Sequence, residues 1–222
     1  MRILSSLMAI LVLAPALRAD PAGLCIDAAL AAARQTGVPI QVLLALTLTE
    51  TGRTDADGGL APWAWTLNQG GDGQWFDSRE QAAAQLQTAL DSGASNVDIG
   101  CFQLNWHWHG ASFASAEAML DPGANALYAA QHLLALYDSG GSWGAAVSAY
   151  HSATPEHAER YMARFEPIYD GLERLAAASS PPDAPLGPPR ENRFPLLRAG
   201  EGQGRGSIVP LPGAARPLIG GS

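Results

Sequence analysis

Glu50 is the residue of this sequence best placed for acid–base chemistry. It ends an apolar segment, and if that segment is a helix, Leu43 and Leu46 share its face. A carboxyl group on an apolar face beside a cleft is partly desolvated, and the negative end of the helix dipole adds to the effect, so its pKa rises. Such a group keeps a proton near neutral pH and can protonate a glycosidic oxygen. The competing interpretation, more common for a glutamate, is an exposed helix end.

The sequence Trp-His-Trp-His at 106–109 raises the question of a metal site. Two histidines need further ligands, and no cluster of cysteines or carboxylates completes a familiar set around His107 and His109. We therefore predict no metal and no cofactor, with both histidines as polar tips on an aromatic cleft wall. Such a wall suits stacking against sugar rings.

The N-terminus has the layout of a secretory signal peptide. Arg2 precedes an apolar run from Ile3 to Leu17, and small residues follow it up to Ala19. The run is too short to span a bilayer comfortably, which argues against a membrane anchor. We predict a signal peptide over residues 1–19 and a periplasmic or secreted protein.

The two cysteines, Cys25 and Cys101, both follow the predicted cleavage site. An even pair in an exported chain is more often bridged than free, so we expect a disulfide between them. Two buried free thiols are the alternative.

Charge and composition divide the rest of the chain. Residues 20–175 carry 6 arginines against 18 acidic side chains, which excludes nucleic acid as a partner and gives no general attraction for an anionic polymer. Residues 176–222 are rich in proline and glycine, lack hydrophobic periodicity and are predicted to be a disordered tail. The tail is also a candidate docking arm for a secretion-system or flagellar assembly partner.

The elements that must position Glu50 are mostly helices. Caps, prolines and glycines predict helices over about 21–35, 39–52, 79–91, 122–140, 143–150 and 155–175. Gly52 is expected to be a left-handed cap, Gly140 to close the fourth helix, and Pro167 to kink the last. Between the second and third helices, residues 63–67 and 74–76 flank Gly70-Gly71-Asp72-Gly73 and predict a short hairpin around this glycine turn. The fold class is thus α+β, mostly helical, with a small sheet beside a cleft.

Three sequence blocks, taken in order, resemble the soluble lytic transglycosylase family. Leu-Thr-Leu-Thr-Glu-Thr-Gly at 46–52 is similar to its apolar helix ending in Glu-Ser-Gly, and Asp-Ile-Gly-Cys-Phe-Gln-Leu-Asn at 98–105 to its Gly-Leu-Met-Gln-Ile-Asn block. Ala-Tyr-His-Ser-Ala at 149–153 is similar to its Ala-Tyr-Asn-Ala-Gly block, and Tyr161 fits the tyrosine that follows. The resemblance covers about residues 24–169 and implies a fold like that of goose-type lysozyme for residues 20–175.

The resemblance implies a reaction on peptidoglycan glycan strands with Glu50 as the only catalytic carboxylate. Glu50 would protonate the oxygen between MurNAc and GlcNAc. It would then take the proton of the MurNAc C6 hydroxyl, which attacks C1 and leaves a 1,6-anhydro end. A standard glycosidase needs a second carboxylate to direct water or form a covalent intermediate.

The same resemblance implies substrate-binding roles for the neighbours of Glu50, in a chain expected to be a monomer. Gln103 would hydrogen-bond substrate, with Asn105 beside it, and Tyr150 would reach and steady Glu50. The family residues at three positions are replaced here: Thr51 stands for serine, His151 for asparagine and Cys101 for an aliphatic residue. Protonation of a histidine at 151 would make activity depend on pH. A bond from Cys101 to Cys25 would brace the first helix against a strand at Gln103.

Two other functions stay open at this stage. The first is a lysozyme-type hydrolase on the same fold, with Asp72 or Asp98 as second carboxylate. Under the transglycosylase interpretation, Asp98 is instead structural and bonds backbone amides in a turn. The second is a non-catalytic wall-binding or assembly protein, against which the presence of Glu50 argues.

Overall fold

The computed structural model describes residues 20–55 and 57–179. The predicted signal peptide and the tail from residue 180 onward lie outside the described residues. Within them the chain is α+β and mostly helical, as predicted. The helices are α1 (Pro21–Thr36), α2 (Ile40–Thr51), α3 (Arg79–Asp91), α4 (Trp106–His109), α5 (Pro122–Gly140), α6 (Trp143–His151) and α7 (Pro155–Ser179). The strands are β1 (Arg53–Thr54), β2 (Leu60–Ala61), β3 (Thr66–Gln69), β4 (Asp72–Trp75), β5 (Val97–Ile99) and β6 (Leu104–Asn105).

Short polar side chains begin the helices, and this is why their starts were predictable. Asp20, Ser78, Asp121 and Ser142 each accept a hydrogen bond from a backbone N–H in the first turn of the helix that follows. These bonds satisfy N–H groups that have no partner inside the helix. The predicted start of each of these helices is confirmed.

Two predictions about helix ends are wrong, and the end of the fourth helix at Gly140 is confirmed, with Gly141 as a left-handed cap at φ 72°. Gly52 ends α2 with φ −58°, so it is not a left-handed cap; a Cβ there would collide with the Leu48 carbonyl oxygen. Helix α7 continues through Pro167 to Ser179, beyond the predicted start of the tail at residue 176. The kink at Pro167 stays a prediction.

The predicted hairpin is confirmed and belongs to a larger sheet, but its strands span 66–69 and 72–75, so Asp72 and Gly73 lie on a strand and not in the turn as predicted. Strands β3 and β4 pair antiparallel around Gly70 and Gly71, with Gln69 opposite Asp72. The sheet has the order β4-β3-β5-β6 and all its pairs are antiparallel. Gln103 lies in the turn between β5 and β6 and not on a strand, contrary to prediction. Strands β1 and β2 form a separate two-stranded sheet directly after α2.

The core holds the end of α2 against the β5–β6 turn. Helix α2 packs against α1 and α7, and Leu43 and Leu46 are fully buried between them. The Thr47 hydroxyl donates a 2.8 Å hydrogen bond to the Cys101 carbonyl in the turn. No helix in the described ranges is long and apolar enough to cross a membrane.

The predicted disulfide between Cys25 and Cys101 is confirmed. Its Cα atoms are 5.6 Å apart, and it joins α1 to the β5–β6 turn. Buried Asn125 of α5 fixes the same turn, donating to the Ile99 carbonyl and accepting from the Phe102 N–H, both at 2.9 Å. The β5–β6 turn, which faces the end of α2, is therefore held by the disulfide from α1 and by hydrogen bonds from α2 and α5.

Candidate active site

A cleft of about 390 Å³ opens where the end of α2 meets the sheet. The side chains that line it come from α2, β3, β5, the β5–β6 turn, β6, α4, α6 and α7: Thr49, Glu50, Asn68, Asp98, Gln103, Leu104, Asn105, Trp108, His109, Tyr150, His151 and Arg164. Of the six site residues predicted from the sequence apart from the cysteines, five line this cleft and Thr51 does not.

Glu50 lies at the base of this cleft with its carboxyl group partly buried. The pKa of Glu50 is raised from 4.5 to about 7, and burial is the largest cause. The hydrogen bond from Tyr161 lowers this pKa, the negative charge of Asp98 raises it, and the positive charge of Arg164 lowers it. The Tyr161 hydroxyl donates to Glu50 Oε1 at 2.6 Å. A carboxyl group with this pKa exchanges its proton near neutral pH, so it can serve first as an acid and then as a base.

The tyrosine that steadies Glu50 is Tyr161 and not Tyr150. Tyr161 lies on α7, is almost fully buried and reaches Glu50 because α7 packs against α2. The Tyr150 hydroxyl instead donates to the Phe102 carbonyl at 2.8 Å. The predicted contact of Tyr150 with Glu50 is therefore wrong. Tyr150 still lines the cleft and holds the backbone of its floor.

Gln103 faces the cleft from a strained turn. Its φ of 44° makes it the one non-glycine residue with positive φ in the described ranges. Its side-chain amide donates to the Gly100 carbonyl at 2.9 Å, which fixes the orientation of the side chain. A non-glycine residue in this backbone region costs conformational energy and persists only where the surrounding structure holds it; such residues cluster at functional sites. The location fits the predicted contact with a substrate.

Asn105 lines the cleft, but its side-chain amide is already engaged. Its Nδ2 group donates at 2.7 Å to both Asp98 Oδ1 and Asn96 Oδ1. Its oxygen accepts from the His107 N–H and so caps α4. Through these hydrogen bonds Asn105 orients Asp98 and caps α4. Its side chain also lines the cleft.

Of the two candidate second carboxylates, one lies in the cleft and the other does not. Asp98 stands in the middle of β5, so the prediction that it bonds backbone amides in a turn is wrong. Its pKa is raised by burial, with the bond from Asn105 acting against this. Asp72 is exposed on β4, accepts a hydrogen bond from Gln74 and does not line the cleft.

Thr51 does not face the cleft, and its predicted contact with substrate is wrong. It is fully buried, where its hydroxyl donates to the Thr47 carbonyl and accepts from the Trp63 N–H, both at 3.0 Å. Because it comes directly after Glu50 on the helix, it points to a different side of α2. Thr51 ties the end of α2 to the segment that leads into β3.

His151 lines the cleft as predicted and stacks on Tyr161, with ring centroids 4.2 Å apart and planes inclined by 12°. Burial lowers its pKa, and the positive charges of Arg164 and His157 lower it further. It is therefore mainly neutral at neutral pH. The stack helps to fix the ring of Tyr161.

Sequence reasoning missed Arg164 and gave Trp108 no individual role. Arg164 follows Tyr161 by three residues on α7, a spacing that places both on one face. Trp108 is 74% exposed although it lines the cleft, so its ring is free to stack on a ligand. His109 also lines the cleft and contacts the Tyr128 hydroxyl at 3.1 Å. His107 packs edge-on against Trp108 and is not part of the cleft lining.

Within residues 20–55 and 57–179 no group of three or more histidine, cysteine or carboxylate side chains is arranged to hold a metal ion. Comparisons of the chain with protein-family models, curated proteins and solved structures find no significant match. The assignment of a function therefore depends on the sequence blocks and on the chemistry of this cleft.

Proposed function

We propose that the protein is a lytic transglycosylase that cleaves the MurNAc–GlcNAc β-1,4 bond of peptidoglycan. The observation that carries the proposal is Glu50: a partly buried carboxyl group with a pKa of about 7, hydrogen-bonded by Tyr161, at the base of an open cleft. The three family-like sequence blocks supply residues of this one cleft. The same proposal includes a lysozyme-like fold for residues 20–175. It also includes that the protein acts on the cell wall as a secreted or periplasmic monomer.

In the first step, protonated Glu50 gives its proton to the glycosidic oxygen while the C1–O bond of MurNAc breaks. The GlcNAc part leaves with a hydroxyl group. Positive charge develops at C1, and the ionised Glu50 is stabilised by the 2.6 Å hydrogen bond from Tyr161. The same bond holds the carboxylate in place for the second proton transfer.

In the second step, the carboxylate of Glu50 takes the proton of the C6 hydroxyl of the same MurNAc. The C6 oxygen forms a bond to C1 and closes the 1,6-anhydro ring. Glu50 ends the cycle protonated and no water is consumed. One carboxylate with a pKa near the working pH serves both steps, because the substrate supplies its own nucleophile.

The other cleft residues hold the strand. Trp108 offers an exposed ring for stacking on a sugar. Gln103 and Asn68 present side-chain amides along the same cleft, where they can hydrogen-bond hydroxyl and acetamido groups. Polar contacts of this kind are suited to a neutral sugar backbone.

A hydrolase of the lysozyme type is the second candidate, because Asp98 lines the same cleft as Glu50. In a hydrolase Asp98 would activate water or attack C1. Against this role, one oxygen of Asp98 already accepts a 2.7 Å hydrogen bond from Asn105, and burial disfavours the ionised form that a base or nucleophile needs, which raises its pKa. We therefore give Asp98 a positioning role in the proposed transglycosylase.

Release of soluble fragments from purified peptidoglycan tests the proposal. Wild type should release fragments that end in 1,6-anhydroMurNAc, identified by mass spectrometry. Glu50→Gln keeps the shape of the side chain but cannot transfer a proton, so it should release none above background. Asp72→Asn is the matched control, since it removes an exposed carboxylate outside the cleft and should retain wild-type activity. Retention of activity by Glu50→Gln would contradict the proposal.

A further inference from the structure

Arg164 places a positive charge in the cleft next to the proposed general acid. It lies three residues after Tyr161 on α7, and its guanidinium carbon is 5.6 Å from the centroid of the Tyr161 ring. Tyr161 in turn donates to Glu50. Arg164 itself is exposed and lines the cleft.

Among the described residues, no carboxylate forms a salt bridge with Arg164, and Glu50, whose pKa the charge lowers, is still largely protonated below about pH 7. The one salt bridge within the described ranges joins Arg79 and Glu117, away from the cleft lining. Two histidines also line the cleft, but burial lowers the pKa of both His109 and His151, so they are mainly neutral at neutral pH. An arginine stays protonated in proteins. Arg164 is therefore the one full positive charge among the described lining residues.

The charge works against the acid beside it. Burial dominates and raises the pKa of Glu50, but Arg164 lowers it. Arg164 therefore does not help Glu50 to hold the proton that it donates, and the position of this cation needs another explanation. A guanidinium group does match the geometry of a carboxylate, to which it can donate two parallel hydrogen bonds. The cleft thus has a free site for an anionic group of its ligand.

We propose that Arg164 binds a carboxylate carried by the lactyl side arm of the muramic acid in the cleft. The inference rests on the proposed function, since only a muramyl substrate brings such a group close to Glu50. Two sources have the same chemistry: a carboxylate of the peptide stem on intact strands, and the free lactyl carboxylate on strands stripped of their peptides. Arg164 thus supplies local attraction for an anionic ligand that the acidic body as a whole does not offer.

Binding of the carboxylate would also prepare Glu50. A paired Arg164 has its charge largely cancelled, so it no longer lowers the pKa of Glu50. The protonated acid is then favoured when a muramyl ligand with its side arm in place occupies the cleft. A strand that lacks the carboxylate would bind more weakly and meet a less protonated acid.

Equilibrium binding to the full chain carrying Glu50→Gln tests the proposal without turnover. Three ligands are compared: solubilised intact strands, the same strands treated with an amidase to remove the stems, and strands whose carboxyl groups have been converted to amides. Adding Arg164→Gln should raise the Kd for the carboxylate-bearing strands roughly threefold to tenfold and leave the Kd for the amide-converted strands unchanged. Arg164→Lys should restore part of the affinity, because it keeps the charge but not the planar fork.

Arg160→Gln is the matched control on the same helix. Arg160 is exposed, contacts Glu156 and His157 and does not line the cleft, so its loss should change no Kd. An effect of Arg164→Gln on intact strands alone assigns the carboxylate to the stem, and an effect on stripped strands alone assigns it to the lactyl group. If Arg164→Gln changes the Kd of all three ligands equally, or of none, the inference is wrong. If no strand binds even with Arg164 present, the proposed wall substrate is wrong as well.

Discussion

The burial of Glu50 predicts that replacing it with glutamine stabilises the protein, and does so only at higher pH. The pKa of Glu50 is 4.5 in an unperturbed chain and about 7 in the folded protein. Between these values the folded state keeps a proton that the unfolded state releases, so the free energy of unfolding falls as pH rises. At about 1.4 kcal/mol for each pH unit, the cost of ionising the buried group reaches about 3 kcal/mol above pH 7, as an upper bound for a partly buried carboxyl group.

Glu50→Gln removes this cost because the amide does not ionise, while its oxygen can still accept the bond from Tyr161. The difference in unfolding free energy between variant and wild type should therefore grow by up to about 3 kcal/mol from pH ~4 to pH ~8. In a domain of this size, that corresponds to roughly 6–12 °C in Tm. Chemical denaturation of both proteins at the two pH values measures it, because titrating groups that do not interact with Glu50 cancel in the difference.

Asp72→Asn is again the control, since Asp72 is exposed and outside the cleft. Its effect on the unfolding free energy should differ by less than about 0.5 kcal/mol between the two pH values. If the Glu50→Gln difference is the same at both pH values, the carboxyl group is not buried enough to hold a proton. The acid–base role derived for it would then lose its physical basis.

Three further perturbations test other parts of the account. Tyr161→Phe removes a hydrogen bond that lowers the pKa of Glu50, so the alkaline limb of the kcat/KM profile should move to higher pH. The rate at the optimum should fall about tenfold or more. An alkaline limb that does not move would contradict the role of that hydrogen bond. Asp98→Asn should slow the reaction but still yield anhydro products by mass spectrometry, whereas complete loss in a folded variant would favour the hydrolase. The Cys25–Cys101 disulfide spans a sequence separation of 76 residues, so its reduction should lower the free energy of unfolding by up to about 4–5 kcal/mol, measured by chemical denaturation. An unchanged stability would show that α1 is held in place without the disulfide.

Local rules account for the parts of this fold that the sequence predicts. Helix starts follow from single capping side chains, and the hairpin follows from Gly70 and Gly71 between alternating residues. The disulfide follows from the cysteine count in a chain with a secretory leader pattern. The leucines four and seven residues before Glu50 share its face but do not by themselves distinguish a cleft carboxyl group from an exposed helix end; the resemblance of residues 46–52 to the catalytic block of soluble lytic transglycosylases singles it out.

Long-range packing decides what the sequence does not predict. Tyr161 and Glu50 are 111 residues apart, and their contact depends on how α7 packs against α2. Spacing alone does not distinguish Tyr161 from Tyr150, whose hydroxyl is used by a backbone carbonyl of the cleft floor. Strands β5 and β6 have three and two residues, too few to show alternation, so the orientation of Asp98 had no sequence signal. The substrate role of Thr51 comes from the resemblance alone, and the sequence at a helix end does not reveal that its side chain is buried.

The fate of water in the reaction tests the central claim most directly. Purified peptidoglycan is digested by wild-type protein in isotopically labelled water, and the new muramic acid ends are analysed by mass spectrometry. If the C6 hydroxyl is the nucleophile and Glu50 its base, the new ends are 1,6-anhydro sugars without labelled oxygen. Reducing ends that carry labelled oxygen at C1, formed by the enzyme itself, would show that water is the nucleophile, and the transglycosylase account would be contradicted.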